Sequence, residues 1–305
     1  MSLYLIQGAV EEGFIYAFVA LGLFISYKIL NIADLTTDGS FALGCVVAAV
    51  FADQGHPYIS IFAALGAGAL AGLVTAFLQT KMKVPPILAG IITMTGLYSI
   101  NVLILGGSPL LYFLKKPTIY SFANSIVGET YGKLVTLVIL CAIVSVLLVL
   151  FFGTQLGLSI RATGDNRDMV SASSINPAFT TTIGLMLSNA LIAMSGALWA
   201  HSTSQGNINI GTGTVVIGLA SLILGGIFFR GARVWIGVCG AIVGAVLYRL
   251  VLAMALRGTG DPTYLKLVSA VLVAAVISYP AVKGYIAAYL HRKKEAKADA
   301  ETDAD

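Results

Sequence analysis

GLSIRATGDNRDMVSASSINP, Gly157 to Pro177, is the longest polar break between two hydrophobic spans on the face that gathers most of the chain's cations. It carries Arg161, Asp165, Arg167 and Asp168, with a Gly164-Asp165-Asn166 turn signal. Roughly two to three helical turns fit between Asn166 and Ile175, with Asp165 or Asn166 as N-cap and Pro177 opening the next helix. Two membrane helices need no such segment merely to be joined. A short polar helix across one face is what a membrane domain needs to be gripped by a soluble motor.

Apolar runs flank this stretch, about Leu134–Phe152 before it and Phe179–Ala200 after it. Each is near the roughly 18 residues or more that cross about 30 Å of hydrocarbon. Seven further runs read as spans: about Glu12–Tyr27, Phe41–Ala52, Tyr58–Thr80, Ile87–Leu105, Thr214–Phe229, Val234–Leu256 and Tyr264–Ile286. The Phe41–Ala52 run is short unless it begins inside the polar link Asn31–Ser40, which would put Asp38, Gly39 and Ser40 at membrane depth. Residues 2–10 read as an interfacial lead-in, Leu110–Lys133 as a mixed loop partly helical at the interface, and Arg257–Pro262 as a turn.

A mean hydropathy of +0.91, with 58% hydrophobic and 10% charged residues, excludes an ordinary soluble domain. The expected fold is all-α: a polytopic membrane protein of about nine transmembrane helices over residues 1–290. The tail from His291 to Asp305 has no apolar period and is expected to be disordered. No cation precedes Lys28, so the apolar start reads as a retained span and not as a secretory leader. Nine spans put the termini on opposite sides. Lys28, Lys81, Lys83, Arg161, Arg167, Arg230, Arg233 and the cations from Lys283 onward fall on one face; Lys115, Lys116, Lys133, Arg257 and Lys266 fall on the other. Twelve against five places the first face in the cytoplasm, with the N-terminus out and the C-terminus in.

Little here points to covalent chemistry. Gly128 to Leu134 superficially resembles a phosphate loop, but it is one residue short between its glycines and has Leu134 where a hydroxyl must meet magnesium. His56, His201 and His291 fall in different loops or the tail, and Cys45, Cys141 and Cys239 each stand alone in an apolar span. No metal site or nucleophile-and-base pattern emerges, and nothing suggests a nucleic-acid partner.

Transport remains, and polar residues inside spans are its candidates. In the fourth span, spacings of three and four link Thr95 to Tyr98 and Ser99, and Tyr98 to Asn101, so that with Thr93 these residues can share one broad face, bordered by Met94 and Val102. Ser188, Asn189 and Ser195 lie in the sixth, Asn207 and Asn209 precede the seventh, and Asp34, Thr36, Thr37, Asp38 and Ser40 occupy the first link. Thr93, Thr95, Tyr98, Asn101, Asn189 and Ser195 are taken as the substrate path. The competing role for any one of them is a helix-to-helix hydrogen bond, about 0.6 kcal/mol on average. Asp34 and Asp38 read first as interfacial loop caps, and Arg249, inside the eighth span, as a structural residue able to snorkel. Gly68-xxx-Gly72 and Gly240-xxx-Gly244 are small-residue motifs for close helix contact.

GLSIRATGDNRDMVSASSINP resembles the cytoplasmic loop of permeases of bacterial ABC importers in the branched-chain amino acid and ribose superfamily. Gly157, Arg161, Ala162, Gly164 and Asn166 match its pattern, while Ser174 replaces a glycine that precedes an isoleucine there. GFIYAFVALGLFISYKILNIADLTTDGSFALG is similar to that superfamily's first block, and ILAGIITMTGLYSIN to a tryptophan/tyrosine-type branch. The resemblance spans roughly residues 8–285. It implies a multi-pass permease of a bacterial plasma membrane, in contact with lipid and forming a homodimer or pairing with a similar subunit. Its partners would be a cytoplasmic ABC ATPase and an extracytoplasmic substrate-binding protein. ATP and magnesium would be bound by the ATPase, with no cofactor in this chain. Coupling to the ATPase would fall on Arg161, Gly164, Asp165, Asn166, Arg167, Met169 and Val170. The solute would be small and polar, with an aromatic or other amino acid in view. A cation-coupled carrier or a passive channel for a small solute is the alternative.

Overall fold

The computed structural model describes residues 3–259, apart from 115, 129, 230 and 232, together with 267–276 and 278. The chain divides into two units, Met1–Ala253 and Met254–Asp305. The first helix, α1 (Leu3–Leu23), continues as a π-helical segment over Phe24–Ile29. The expected lead-in is therefore part of the first span: residues 3–12 hold no proline to interrupt it. Then come α2 (Thr37–Asp53), α3 (Pro57–Thr80), α4 (Pro86–Ile104), β1 (Leu110–Tyr112), α5 (Ser121–Val127) and α6 (Gly132–Gly153). The chain continues with α7 (Gln155–Asp165), α8 (Arg167–Ala172), α9 (Pro177–Thr203), β2 (Gln205–Asn207), α10 (Thr214–Phe228) and α11 (Val234–Thr259). Proline opens α3, α4 and α9, where its missing N–H has no partner to lose.

Among the described residues, six helices are long and apolar enough to cross a membrane: Leu5–Ile29, α3, α4, α6, α9 and the Val234–Ala255 part of α11. The chain is thus all-α and polytopic in its main lines. α10 is a shorter apolar helix, and α2 begins inside the polar link, so Asp38, Gly39 and Ser40 are helical. Two expectations shift. α11 runs through Arg257 and Gly258 to Thr259, where a turn was expected. An extra helix, α7, occupies residues where Gly164-Asp165-Asn166 suggested a turn. The second unit contains the apolar helix Leu267–Val276. The rest of the ninth expected span and the tail from His291 lie outside the described residues.

In the first unit α9 is central, packed against α3, α2 and α1. Small residues set these distances. A Cβ on Gly68 or Gly72 of α3 would overlap the backbone of α9 at Asn189 and Leu185, and one on Gly196 of α9 would overlap Phe41 of α2. The other anticipated motif works likewise, since Gly244 of α11 lies against Ser221 and Gly225 of α10. Chemistry is inverted relative to a water-soluble core. Asp34, Thr36, Ser40, Asn189 and Ser195 are buried, while Phe62, Leu70, Leu103 and Leu150 face outward at 60–80% exposure, roughly what hydrocarbon as solvent demands. The one ladder among the described residues pairs β1 with β2 antiparallel, Leu111 opposite Gly206. Beside it, Tyr120 donates to the Leu198 carbonyl at 3.0 Å, and burial holds its phenol above the ordinary range.

Two ion pairs fasten α1 near its start. Glu11 meets Lys133 at 3.0 Å, and Glu12 meets Arg249 at 2.9 Å. The Arg249 guanidinium lies 3.7 Å from the centre of the Tyr16 ring. Arg249 is therefore buried, paired and stacked between α1 and α11, in keeping with a structural role.

Candidate functional site

α6 ends at Gly153, and Thr154 caps α7, its hydroxyl accepting from the Gly157 N–H at 3.3 Å. Gly157, Ile160 and Thr163 form the buried stripe of α7, while Leu156 and Leu158 stay exposed. The stripe rests on two neighbours. The Thr163 and Thr180 hydroxyls meet at 2.7 Å, tying α7 to α9, and a Cβ on Gly164 would overlap the Ile29 carbonyl at the end of the π-helical segment. Any larger residue at Gly164 would force α7 off the first span.

At Asn166 the backbone turns extended, and its side-chain oxygen accepts from the N–H groups of Asp168 and Met169, each at 3.0 Å. That cap fixes the start of α8, as the sequence suggested. The helix is six residues long, shorter than the two to three turns expected, because Ser174 closes it in the left-handed region at φ 60°. Ile175 N–H returns to the Val170 carbonyl and Ser174 N–H to that of Ser171, both at 3.3 Å, which is the Schellman closure. Asn176 then caps α9 ahead of Pro177. Within α8 only Val170 is buried; Met169 is 60% exposed, and Arg167 and Asp168 face solvent. Arg161 is half-buried and Asp165 exposed on α7. The seven expected coupling residues thus occupy two capped helices meeting at an elbow.

The first link is a buried polar junction. Asp34, 2% exposed, accepts from Thr36 N–H at 2.9 Å and from the Asn189 side-chain amide at 2.7 Å. Ser40 donates to the Asn189 carbonyl oxygen at 2.6 Å. A chain of hydroxyls runs from Thr36 through Thr75 to Thr93 at 2.8 and 3.0 Å. Asp38 caps another helix entirely: its carboxylate accepts from Gly213 N–H, Thr214 hydroxyl and Val215 N–H, at 2.8–2.9 Å, at the start of α10. Negative charge there also complements the helix dipole.

Asp38 also lines a groove of about 290 Å³, with Thr95, Tyr98 and Asn101 from α4 and Asn209 and Thr212 from the segment before α10. Ala42, Met94 and Ile208 supply apolar wall. Asn101 is 1% exposed, and its side-chain oxygen has no hydrogen-bond partner among the described residues. Of the six residues expected on a path, Thr95, Tyr98 and Asn101 line this groove. Thr93 accepts from the Thr75 hydroxyl and donates to the Ala89 carbonyl, Asn189 is held by Asp34 and Ser40, and Ser195 donates to the Ile15 carbonyl at 2.6 Å. Sequence spacing found the α4 face. It missed Thr212 and the tie between Asp38 and α10, because nothing local marks a partner some 175 residues away.

The sequence matches the family described as branched-chain amino acid transport system / permease component over residues 5–277. It is 34% identical over 274 residues, 90% of each chain, to a tyrosine transport system permease protein of Clostridioides difficile. It is 30% identical to an uncharacterised protein of Rickettsia prowazekii, covering 88% of this chain and 95% of that one. With a galactose/methyl galactoside import permease protein of Haemophilus influenzae it shares 27% identity, over 66% of this chain and 61% of the relative. No solved structure matches. The family match takes in the elbow, the buried junction and the groove together, and on its extent the chain belongs to the branched-chain amino acid transport system permease family.

Proposed function

We propose that this chain is the membrane-spanning subunit of an ATP-driven importer for a small polar solute, with an aromatic amino acid as the first candidate. The observation that carries the proposal is α8: a capped helix, exposed but for one anchoring valine, placed between two spans of a transport permease. A soluble ATPase closing on ATP and magnesium would grip this helix, and α7 would pass the displacement to α9 and the first span through Thr163 and Gly164. A bundle with two packings, biased by the ATPase, gives alternating access.

In this proposal nine spans place the elbow in the cytoplasm and the N-terminus outside, by the twelve-to-five cation count. An extracytoplasmic binding protein delivers the solute, and two copies of the chain enclose the path. The groove of Thr95, Tyr98 and Asn101 is its polar part, with Thr93, Asn189 and Ser195 holding the helices behind it. An aromatic amino acid is favoured by the Clostridioides difficile relative, named for tyrosine transport. A cation-coupled carrier needs an ionisable group free to exchange its ion. Asp34, the most buried acid among the described residues, is already engaged by two donors.

The test is reconstitution with the cognate ATPase and binding protein, with ATP inside vesicles and labelled tyrosine outside. Uptake that requires ATP, and that falls at least tenfold in Arg161→Ala/Asp165→Ala while the complex still assembles, is the expected outcome. Uptake driven by an ion gradient without the ATPase would overturn it.

A further inference from the structure

A second hollow, of about 250 Å³, opens on the face that carries the elbow. Its rim is cationic: Lys28 from the π-helical segment, Arg161 from α7 and Arg233 just before α11, accompanied by Asp165. Among the described residues, three positive side chains against one negative line this hollow. Among the described residues none of these four makes an ion pair; those found are at Lys133 and Arg249. Lys28 and Arg233 are exposed. Buried Phe24 and Leu222 line its depth, and a Cβ on Gly237 of α11 would run into the Phe24 ring, while Gly226 of α10 is exposed at the opening. Lys28 also sits on a π-helical turn, a geometry that recurs at functional sites.

We propose that this hollow binds the headgroup of an anionic phospholipid, its phosphate held by Lys28, Arg161 and Arg233 and its glycerol end lying against Phe24 and Leu222. The charge is complementary, and basic pockets between membrane helices bind such headgroups. Inorganic phosphate shares the chemistry of the rim but has no use for the apolar depth. α10 and α11, which build that depth, are apolar helices, so the floor lies where a lipid tail can follow. The hollow shares Arg161 and Asp165 with the proposed coupling elbow, but the assignment needs only a bilayer, and its test reads lipid retention at Lys28 and Arg233 without uptake.

Native mass spectrometry of the full-length detergent-purified chain tests it, titrating phosphatidylglycerol, phosphatidylcholine and inorganic phosphate. One phosphatidylglycerol per chain should be retained at roughly tenfold lower concentration than phosphatidylcholine. Lys28→Gln/Arg233→Gln should abolish that preference, and Lys28→Arg/Arg233→Lys should keep it. Both positions are exposed, so the variants remain folded, with the melting curve as control. Equal retention of the two lipids, or an unchanged preference in the double Gln variant, would overturn the assignment. Displacement by millimolar inorganic phosphate would show a soluble-anion site instead and overturn the lipid part.

Discussion

Ser174 spends conformational energy to close α8, because the left-handed region costs an L-residue roughly 1–2 kcal/mol that glycine escapes. Glycine, with no Cβ to clash, takes that conformation at no such cost. Ser174→Gly should raise stability by about 0.5–1 kcal/mol, once glycine's larger unfolded-state entropy is deducted, read as a higher melting temperature in detergent. Asp34→Ala should do the opposite. It strands the Thr36 N–H and one Asn189 side-chain N–H, the other keeping the Leu185 carbonyl, at about 1–3 kcal/mol each, and the detergent melting midpoint should fall accordingly. Asn166, Pro177, Gly68 and Gly72 were legible in advance, because caps, helix-opening prolines and close-packing glycines act locally or through a repeat. Asp38 was half legible. Its residue type announced a cap, but the capped helix is α10, which only tertiary structure brings near.

At the scale of elements, α8 is short enough that one bond decides it. Val170 N–H to the Asn166 carbonyl, at 3.2 Å, is its first helical bond, and the Val170 side chain is its buried anchor. Val170→Pro removes that donor and clashes with the preceding turn, costing roughly 3 kcal/mol. That matches or exceeds ordinary coupling energies of about 1–3 kcal/mol. Uptake in the reconstituted system should fall by about tenfold to a hundredfold or more while the protein stays in the membrane; uptake near the original rate would reduce α8 to a connector. The helices α3, α4, α6, α9 and α10 were readable to within a few residues, since apolar length against a fixed bilayer thickness is a strong signal, whereas α1 begins well before the expected Glu12. α7 was not, because Gly164-Asp165-Asn166 has turn chemistry and the helix exists by leaning Gly157, Ile160 and Thr163 on its neighbours. The β1–β2 ladder was also hidden: Gln205, Gly206 and Asn207 have no strand propensity, and pairing alone makes them extended.

For the whole molecule, the membrane class was written in composition, whereas sidedness rests on counting cations. Single cysteines introduced at Ser171 and at Phe122 should react with an impermeant thiol reagent from opposite sides, Ser171 from the cytoplasm and Phe122 from outside. Both positions are exposed. Reversed labelling would place the elbow out of an ATPase's reach. The purified chain alone should hydrolyse no ATP above background, since Gly128–Leu134 lacks the phosphate-loop spacing.

The central place of α9 sets a schedule for biogenesis. The first three helices direct their close-packing glycines at a partner that has not been synthesised when they leave the ribosome. From the end of α3 to the end of α9, at about 5–20 residues per second, the wait is roughly 6–25 s. Through that interval Asp34 and Ser40 sit at the membrane without Asn189 to satisfy them. Nascent chains arrested before Pro177 are therefore the natural clients of insertion chaperones and membrane proteases, and protection should arrive abruptly once α9 has slotted in.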